Sequence, residues 1–265
     1  MTRYERWLRV ALKVAEEAGA YARQVWGQEH VVQRKGFRDI VTQTDIALEG
    51  MILDRLHCAF PDHAVTSEEA GADVEERSVR WLVDPLDGTT NFSLNNPNFS
   101  IAIAAVDEGV PVVGVVVDPL RAQTFAAHAG GSATLNGRPL YVSRVGDLAA
   151  AVFAFDMPRD PELRRRMWTC VGRFLDQGRT VRALGSAALN MAYVAAGWVD
   201  GYFSVHMEPW DQTAPALLVR EAGGVVATMS GEQWTPYSPD PLMAANPQLV
   251  EKMRKVLKGN GNGVA

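Results

Sequence analysis

The residues best suited to chemistry lie in one short segment, 81–92, which reads WLVDPLDGTTNF. An apolar strand here delivers Asp84 and Asp87 at an abrupt turn, and Pro85 restrains the backbone between the two carboxylates. Such a pair can point into one crevice and hold a hard divalent cation. Gly88 allows the backbone to approach an anion, and the two threonines that follow offer hydroxyls and N–H groups where a helix begins. The segment predicts a metal-dependent phosphate site, with an Asp-rich turn between strands as the alternative.

Three further acidic segments point to the same chemistry. Asp45 stands near the start of a predicted helix, Glu68 follows a short apolar strand at 64–66, and Asp211 follows Trp210 at a predicted strand-to-helix junction. Taken singly, the aspartates are ordinary helix-start residues and the glutamate is a solvated charge. Taken together with the first segment, oxygen ligation of a divalent cation explains all four positions.

The cation is expected to be magnesium rather than zinc. The chain has five histidines and two cysteines, and none of them is paired at the spacing of a zinc site. Cys58 and Cys170 lie far apart in the sequence, which also argues against a disulfide framework. The cysteine usage therefore fits a reducing cytoplasm.

Composition narrows the class of protein. The chain has 265 residues, 47% of them hydrophobic, and a formal net charge of −5 with scattered Lys and Arg. This predicts a globular protein without the basic face that a nucleic-acid polymer or an anionic membrane surface would require. Charged residues interrupt the N-terminal segment and no apolar run reaches membrane-spanning length, so neither a signal peptide nor a membrane helix is expected.

Two helices open the chain and must carry Asp45 to the site. Apolar residues recur at helical spacing from Trp7 to Val25, which predicts an amphipathic first helix. After a polar connection at 35–39, a second helix is predicted to begin near Asp45. Its buried face would be formed by Leu48, Met51, Ile52 and Leu56.

A largely antiparallel sheet is predicted to follow. The Val- and Ile-rich runs 99–106 and 110–117 flank a polar turn and favour a hairpin covered on both faces. Segments 124–128 and 133–135 continue the sheet, and Asn136-Gly137 is a strong turn signal.

From about residue 150, strands alternate with helices, which predicts a second αβ region. The expected strands are 151–155, 180–183 and 201–205. Four helices are expected: one begins after Pro161, and the other three cover 186–196, 211–222 and 247–257. Gly223-Gly224 would cap the helix that follows Asp211, and Pro215 would lie in its first turn. We expect one compact unit, 1–258, with a crevice between subdomains 1–149 and 150–258, and a flexible tail at 259–265.

These motifs, in this order, resemble the signature set of the inositol monophosphatase family. The matching blocks are 39–45 (DIVTQTD), 68–69 (EE), 84–92 (DPLDGTTNF), 210–211 (WD) and 221–224 (EAGG). The long aspartate block is highly specific, the Trp-Asp block is good support, and the glutamate pair alone is weak. The resemblance covers nearly the whole chain. It implies an α+β fold, a layered α-β-α-β-α sandwich, usually assembled as a homodimer.

The resemblance also implies a Mg²⁺-dependent phosphomonoesterase and a role for each matching residue. Asp45, hydrogen-bonded to Thr89, would orient the water that attacks phosphorus, so that Asp45, Glu68 and Thr89 form the catalytic set. Two or three Mg²⁺ ions would be held by Glu68, Asp84, the carbonyl of Leu86, Asp87 and Asp211. The phosphate and the rest of the substrate would contact Gly88, Thr89, Thr90, Gly185, Ser186 and Ala187. Two adjacent cations can acidify a bound water and stabilise both the attacking and the leaving oxygen.

The substrate is the open question. Many inositol-preferring relatives carry an acid seven residues before the aspartate of the Trp-Asp block, where this chain has Ser204. A serine lacks the charge-assisted hydrogen bond that a carboxylate gives a hydroxyl, and His206 or Glu208 could compensate or could serve only as surface residues. No basic residue near the crevice can be placed from the sequence, which disfavours a nucleotide phosphate.

Inositol 1-phosphate is therefore the leading substrate, with alternatives from enzymes of the same fold. These are fructose 1,6-bisphosphate, histidinol phosphate and 3′-phosphoadenosine 5′-phosphate. A non-catalytic metal-binding regulatory protein is the alternative from a different class. The complete acidic set argues against it, because a degenerate relative would be expected to have lost at least one ligand.

Overall fold

The computed structural model describes residues 1–28, 32–36, 39–72, 77–238 and 242–258. The predicted tail at 259–265 and the middle of the predicted connection, 37 and 38, lie outside these residues.

Two helices and a small hairpin open the fold. Helix α1, Arg3–Val25, starts with a capping box between Thr2 and Glu5, and helix α2, Gln43–Ala59, follows the hairpin β1, Val32–Gly36, and β2, Asp39–Thr42. Both predicted helices are confirmed.

One predicted core position of α2 is wrong, since Met51 is 36% exposed while Leu48, Ile52 and Leu56 are buried. The buried stripe of α2 is displaced toward the side that carries Asp45 and Glu49, which are also buried. Met51 lies on the opposite edge of that stripe.

The eight-stranded sheet holds the predicted hairpin at its centre. The strand order is β10-β9-β8-β7-β6-β5-β3-β4, antiparallel throughout except for the parallel pair β3–β5. Its strands are β3 Ala64–Ser67, β4 Gly71–Ala72, β5 Val79–Asp87, β6 Ser100–Asp107, β7 Val110–Asp118, β8 Gln123–His128, β9 Thr134–Leu135 and β10 Arg138–Pro139, with the short helix α3, Thr89–Ser93, after β5. Asn136 and Gly137 both have positive φ, as the predicted tight turn requires.

The second sheet has five strands in the order β12-β11-β13-β15-β14. Strand β11 pairs in parallel with β12 and β13, whereas β15 pairs antiparallel with β13 and β14. The elements are β11 Val152–Phe155, α4 Pro161–Gln177, β12 Thr180–Ala183, α5 Ala187–Ala195, β13 Gly201–Ser204, α6 Pro209–Glu221, β14 Val225–Thr228, β15 Leu242–Ala245 and α7 Pro247–Lys258.

The predicted position of Pro215 is wrong. Helix α6 begins at Pro209, with Glu208 as its N-cap, so Pro215 lies in the helix interior rather than in the first turn. The earlier proline has a preset φ and needs no N–H partner at the first helical position, and it therefore starts the helix before Asp211.

Alternation of side chains across the large sheet produces three apolar cores. Trp81 and Val83 face α1 and α2, whereas Leu82 faces α5 and α6. A third core joins the five-stranded sheet to α4 and α7. The layers are therefore α1/α2, large sheet, α5/α6, small sheet and α4/α7, which confirms the α-β-α-β-α fold.

Helix α6 lies directly on the backbone of the large sheet. A Cβ atom on Gly114 of β7 would lie 2.5 Å from the carbonyl oxygen of Ala214, so only glycine fits beneath the helix. Within the described part of the chain, no helix has both the length and the apolar character to cross a membrane.

Candidate active site

A bulge at the end of β5 brings Asp84 and Asp87 to one side of the sheet. Asp84 pairs with Ala102 of β6 and Asp87 pairs with Ser100, so the two residues Pro85 and Leu86 oppose the single residue Ile101. In a regular strand, residues three apart point to opposite faces, and one extra residue restores a common face. Pro85 is accommodated because it lies in this irregular stretch. Both carboxylates line a cavity of about 760 Å³.

The turn after β5 requires a glycine. Gly88 has φ of 95°, and a Cβ atom there would lie 2.9 Å from the carbonyl oxygen of Gly185 and 3.0 Å from that of Asn98. The turn therefore packs backbone against backbone with the loop before α5. As the first residues of α3, Thr89 and Thr90 have N–H groups without acceptors inside the helix, and both residues line the cavity.

Asp45 serves as a helix-start residue and also contacts Thr89. Its Oδ2 accepts hydrogen bonds from the N–H and the hydroxyl of Thr42, at 2.9 and 2.5 Å. Thr89 Oγ1 lies 2.9 Å from Asp45 Oδ1 and 3.1 Å from the carbonyl oxygen of Leu86. Burial raises the pKa of Asp45, while the bonds from Thr42 and Thr89 oppose that shift. Asp45 does not line the cavity itself, because it is buried, and it reaches the site through Thr89.

Asp87 is held at the N-terminus of α5. Its Oδ2 accepts from the hydroxyl of Ser186 at 2.5 Å, the hydroxyl of Ser100 at 3.1 Å and the N–H of Ala188 at 2.9 Å. Its Oδ1 accepts from the N–H of Ala187 at 3.1 Å. The positive end of the helix dipole favours a carboxylate at this place. The side chain of Ser186 is thereby turned toward Asp87. Of the predicted site residues, Asp45 and Ser186 are the two that do not line the cavity.

A buried glutamate that sequence reasoning missed positions the Glu68 turn. Glu49 of α2 accepts hydrogen bonds from the N–H groups of Glu69 at 3.0 Å and Ala70 at 2.9 Å. It stands one helical turn after Asp45 and so lies on the same side of α2. This four-residue spacing from Asp45 is the sequence pattern from which Glu49 could have been predicted.

The acidic side chains at the crevice repel one another. Burial, followed by the charges of Glu68, Asp87 and Asp211, holds the pKa of Asp84 well above its usual range. The pKa of Asp211 is also raised well above its usual range, by burial and then by the charges of Asp87 and Glu68, while its interaction with Asp84 opposes the shift. Carboxyls this close require either a shared proton or a cation between them.

The donor set fits magnesium by type. It consists of carboxylate oxygens with a neighbouring backbone carbonyl, and hard divalent cations prefer such ligands. No three Asp, Glu, His or Cys side chains in the described ranges are already drawn into one compact ligand cluster. The fit therefore rests on donor chemistry and on the mutual repulsion of the four carboxylates.

The second sheet supplies the opposite wall of the crevice, including two arginines. Arg159 and Arg164 line the cavity, and Arg159 Nη2 lies 3.2 Å from Glu68 Oε1. The sequence alone could not place a basic residue near the crevice, and the structure places two there. The loop between β11 and α4 carries Arg159 across the crevice, and no local sequence pattern indicates that long-range approach.

Ser204 uses its hydroxyl within its own turn. Its Oγ donates to the carbonyl of His206 at 2.7 Å, although the residue lines the cavity. His206 Nε2 lies 3.2 Å from Glu208 Oε1, and both side chains are exposed.

Asp156, at the end of β11, is a further acid that sequence reasoning missed. Its Oδ1 accepts from the N–H of Gly185 at 3.0 Å. Its Oδ2 accepts from Asn190 Nδ2 at 2.7 Å and from the hydroxyl of Tyr202 at 3.3 Å. Burial raises its pKa to about 7, with these hydrogen bonds acting in the opposite direction.

Comparison with known proteins agrees with this geometry. Residues 3–260 match the model of the inositol monophosphatase family. The chain is similar to Nus factor SuhB of Escherichia coli strain K12, at 37% identity over 250 residues that cover 93% of each chain. Its fold is similar to that of the IMPase of Thermotoga maritima, with a TM-score of 0.88, 34% identity and coverage of 96% and 97% of the two chains. The inositol monophosphatase of Anabaena gives a TM-score of 0.87 at 31% identity, with 97% of each chain covered.

Proposed function

Because the chain belongs to the inositol monophosphatase family, we propose that it is a Mg²⁺-dependent phosphomonoesterase that hydrolyses a small phosphate monoester, with inositol 1-phosphate as the leading substrate. The observation that carries the proposal is the group of acidic side chains, Glu68, Asp84, Asp87 and Asp211, which line one cavity. Burial and the charges of neighbouring acids in this group raise the pKa of Asp84 and of Asp211. Shifts of this kind are typical of functional sites, although structural ion-pair networks also produce them.

Under this proposal, Glu68, Asp84, the Leu86 carbonyl, Asp87 and Asp211 hold two or three Mg²⁺ ions. Magnesium supplies the positive charge that offsets the phosphate and acidifies a water molecule. Oδ1 of Asp87 accepts only one of the four hydrogen bonds to that carboxylate, which leaves a lone pair for a cation.

The chain's own groups position the reactants. Gly88, Thr89 and Thr90 present N–H and hydroxyl donors to the phosphate at the start of α3. Thr89 orients the attacking water, and Asp45 holds the Thr89 hydroxyl in place through the 2.9 Å contact. Hydrolysis then needs alignment and charge neutralisation rather than a nucleophilic side chain. Gly185 and Ala187 line the substrate side of the cavity, and Ser186 supports it through Asp87.

The decisive experiment is phosphate release by the purified protein with and without Mg²⁺. The panel contains inositol 1-phosphate, fructose 1,6-bisphosphate, histidinol phosphate, 3′-phosphoadenosine 5′-phosphate and glycerol 2-phosphate. We expect Asp84→Asn to abolish release, because the substitution removes the charge of a proposed Mg²⁺ ligand, and Asp62→Asn, at an exposed position, to leave it unchanged. Absence of Mg²⁺-stimulated release from every substrate, or wild-type rates in Asp84→Asn, would refute the proposal.

The role of Asp45 is tested separately. Asp45→Asn keeps the shape of the side chain but weakens its grip on the Thr89 hydroxyl, so we expect turnover to fall about 10–100-fold. Mg²⁺ affinity, measured by titration calorimetry, should stay close to that of the wild type. Unchanged turnover would remove Asp45 from the mechanism.

A second candidate function comes from the relative named Nus factor SuhB, which is similar over 93% of the chain. The name is that of a transcription factor rather than a phosphatase, so a regulatory role that does not need hydrolysis is a distinct proposal. Affinity purification of the tagged wild type and of Asp84→Asn separates the two. If the same component of the transcription machinery is recovered with the wild type and with Asp84→Asn, the regulatory role is favoured. If the wild type recovers no such component, the result counts against that role.

A further inference from the structure

The wall of the crevice opposite the large sheet carries two guanidinium groups. Arg159 lies in the loop between β11 and α4, and Arg164 lies in the first turns of α4. Arg164 Nη1 donates to the carbonyl of Pro158 at 3.0 Å, which ties the loop to the helix. Both arginines line the cavity, so the loop and the helix present their charges to the same space.

Arg159 lies nearer the solvent than the acid it contacts. The side chain of Arg159 is 53% exposed, whereas that of Glu68, its partner at 3.2 Å, is 12% exposed. The guanidinium of Arg159 is therefore placed outward from the Glu68 carboxylate. A substrate phosphate attacked at the acidic side chains would leave the rest of the molecule beside the arginines.

The acids on the same wall are used for local structure. Asp160 caps α4 by accepting from the N–H groups of Glu162 and Leu163, at 2.8 and 2.9 Å. Asp156 accepts from the Gly185 N–H, Asn190 and Tyr202. Their charge is therefore directed to the start of a helix and to the loop before α5.

Of the polar side chains on this wall, Ser204 donates its hydroxyl to the His206 carbonyl in its own turn, whereas His206 and Glu208 line the cavity with exposed side chains. The cavity, at about 760 Å³, lies within the range of sites that take drug-sized ligands, and it has room beyond a single phosphate.

We propose that Arg159 and Arg164 form a subsite for a second phosphate group of the substrate, so that the crevice accepts a small bisphosphate in addition to the monophosphate of a neutral polyol. Guanidinium groups bind phosphate oxygens through paired, charge-assisted hydrogen bonds. The inference rests on the proposed phosphatase function and specifies its substrate class.

The test compares two substrates across matched variants. The measured quantity is the ratio of kcat/KM for fructose 1,6-bisphosphate to that for inositol 1-phosphate, at saturating Mg²⁺. The subsite variants are Arg159→Gln and Arg164→Gln. The control is Arg166→Gln, which removes the same charge from an exposed position of α4 outside the cavity.

We expect the ratio to fall about tenfold in each subsite variant, mostly through KM for the bisphosphate, and to stay at the wild-type value in the control. If Arg159 only positions Glu68, Arg159→Gln will weaken both substrates equally and raise the Mg²⁺ concentration needed for half-maximal activity. That result, or an unchanged ratio in both variants, would overturn the subsite.

A binding measurement separates failure of the subsite from failure of the phosphatase function. Titration calorimetry with a non-hydrolysable bisphosphonate analogue of fructose 1,6-bisphosphate should show about tenfold weaker binding to Arg159→Gln than to Arg166→Gln. Binding that depends on Arg159, in a protein inactive on every substrate, would keep the subsite and refute the activity. Hydrolysis of inositol 1-phosphate by a wild type that does not bind the analogue would refute the subsite alone.

Discussion

At the scale of single residues, Asp156 couples the protonation of the crevice to the stability of the fold. Its two oxygens bind the backbone of Gly185 and the side chains of Asn190 and Tyr202, and burial raises its pKa to about 7. An acid whose pKa is higher in the folded protein than in the unfolded chain binds its proton more tightly when folded. Folding stability is then lost as pH rises from the unfolded pKa to the folded one, and it levels off above it.

This coupling predicts a pH-dependent difference between the wild type and Asp156→Asn. In the presence of a chelator, we expect the wild type to lose about 1–2 kcal/mol of unfolding free energy relative to the variant between pH 5 and 7. No further difference should accumulate above pH 8. Urea titrations at each pH measure it, and parallel curves for the two proteins would show that Asp156 does not titrate in this range.

Single residues also show what the sequence could and could not predict. The acids at positions 45, 68, 84, 87 and 211 were found because each stands at a recognisable local boundary, after a strand or at a helix start. Arg159 lacks such a signal, since its approach to Glu68 joins segments distant in the sequence. Asp156 does follow the predicted strand 151–155, but its contacts with Gly185, Asn190 and Tyr202 could not be predicted from that position. Glu49 could have been found from its helical spacing to Asp45.

At the scale of elements, the turn between β5 and α3 is set by the space available to its backbone. Gly88 has a positive φ and contacts the carbonyls of Gly185 and Asn98. Gly109, in the β6–β7 turn, has a similar φ of 80° but no heavy atom within 4 Å of the place of a Cβ. Comparing substitutions at these two glycines therefore distinguishes the effect of an unfavourable φ from the effect of close packing around the turn.

We expect Gly88→Ala to lower the unfolding free energy by about 2–3 kcal/mol and Gly109→Ala by about 1 kcal/mol. Both variants adopt an unfavourable φ, but only the first must displace the loop before α5. Thermal unfolding monitored by circular dichroism measures the difference. Equal losses would mean that the contact between the two loops does not constrain the turn.

Element prediction succeeded where apolar spacing is long, and it missed two strands of the small sheet. Helix α1 and the hairpin β6–β7 were predicted because apolar spacing runs through many residues. Strands β14 and β15 were not predicted; they pair with each other across a long intervening segment rather than through a tight turn with a recognisable sequence signal. The start of α6 was placed two residues late, because the role of Pro209 as a first helical residue was not considered.

At the scale of the whole molecule, the site gathers carboxylates from separate layers. Asp84 and Asp87 come from the large sheet, Glu68 follows its neighbouring strand, and Asp211 comes from the helical layer between the sheets. Folding therefore brings like charges together at a cost, and a cation that binds only the folded state offsets that cost.

We expect Mg²⁺ at about 100 times its dissociation constant to raise the unfolding free energy of the wild type by about 2.7 kcal/mol. Asp62→Asn should respond as the wild type does, and Asp84→Asn should respond much less. Thermal unfolding across a Mg²⁺ titration, with NaCl at matched ionic strength as the reference, measures the shift. An equal shift in Asp84→Asn would place the stabilising cation elsewhere.

The contact between Gly114 and Ala214 has a consequence for which substitutions the site can tolerate. At this point α6 lies on the bare backbone of β7, so no side chain separates the two elements there. Asp211 belongs to the same helix, three residues before Ala214. Any side chain introduced at position 114 would push α6 away from the sheet, and it would thereby move Asp211 relative to Asp84 and Asp87.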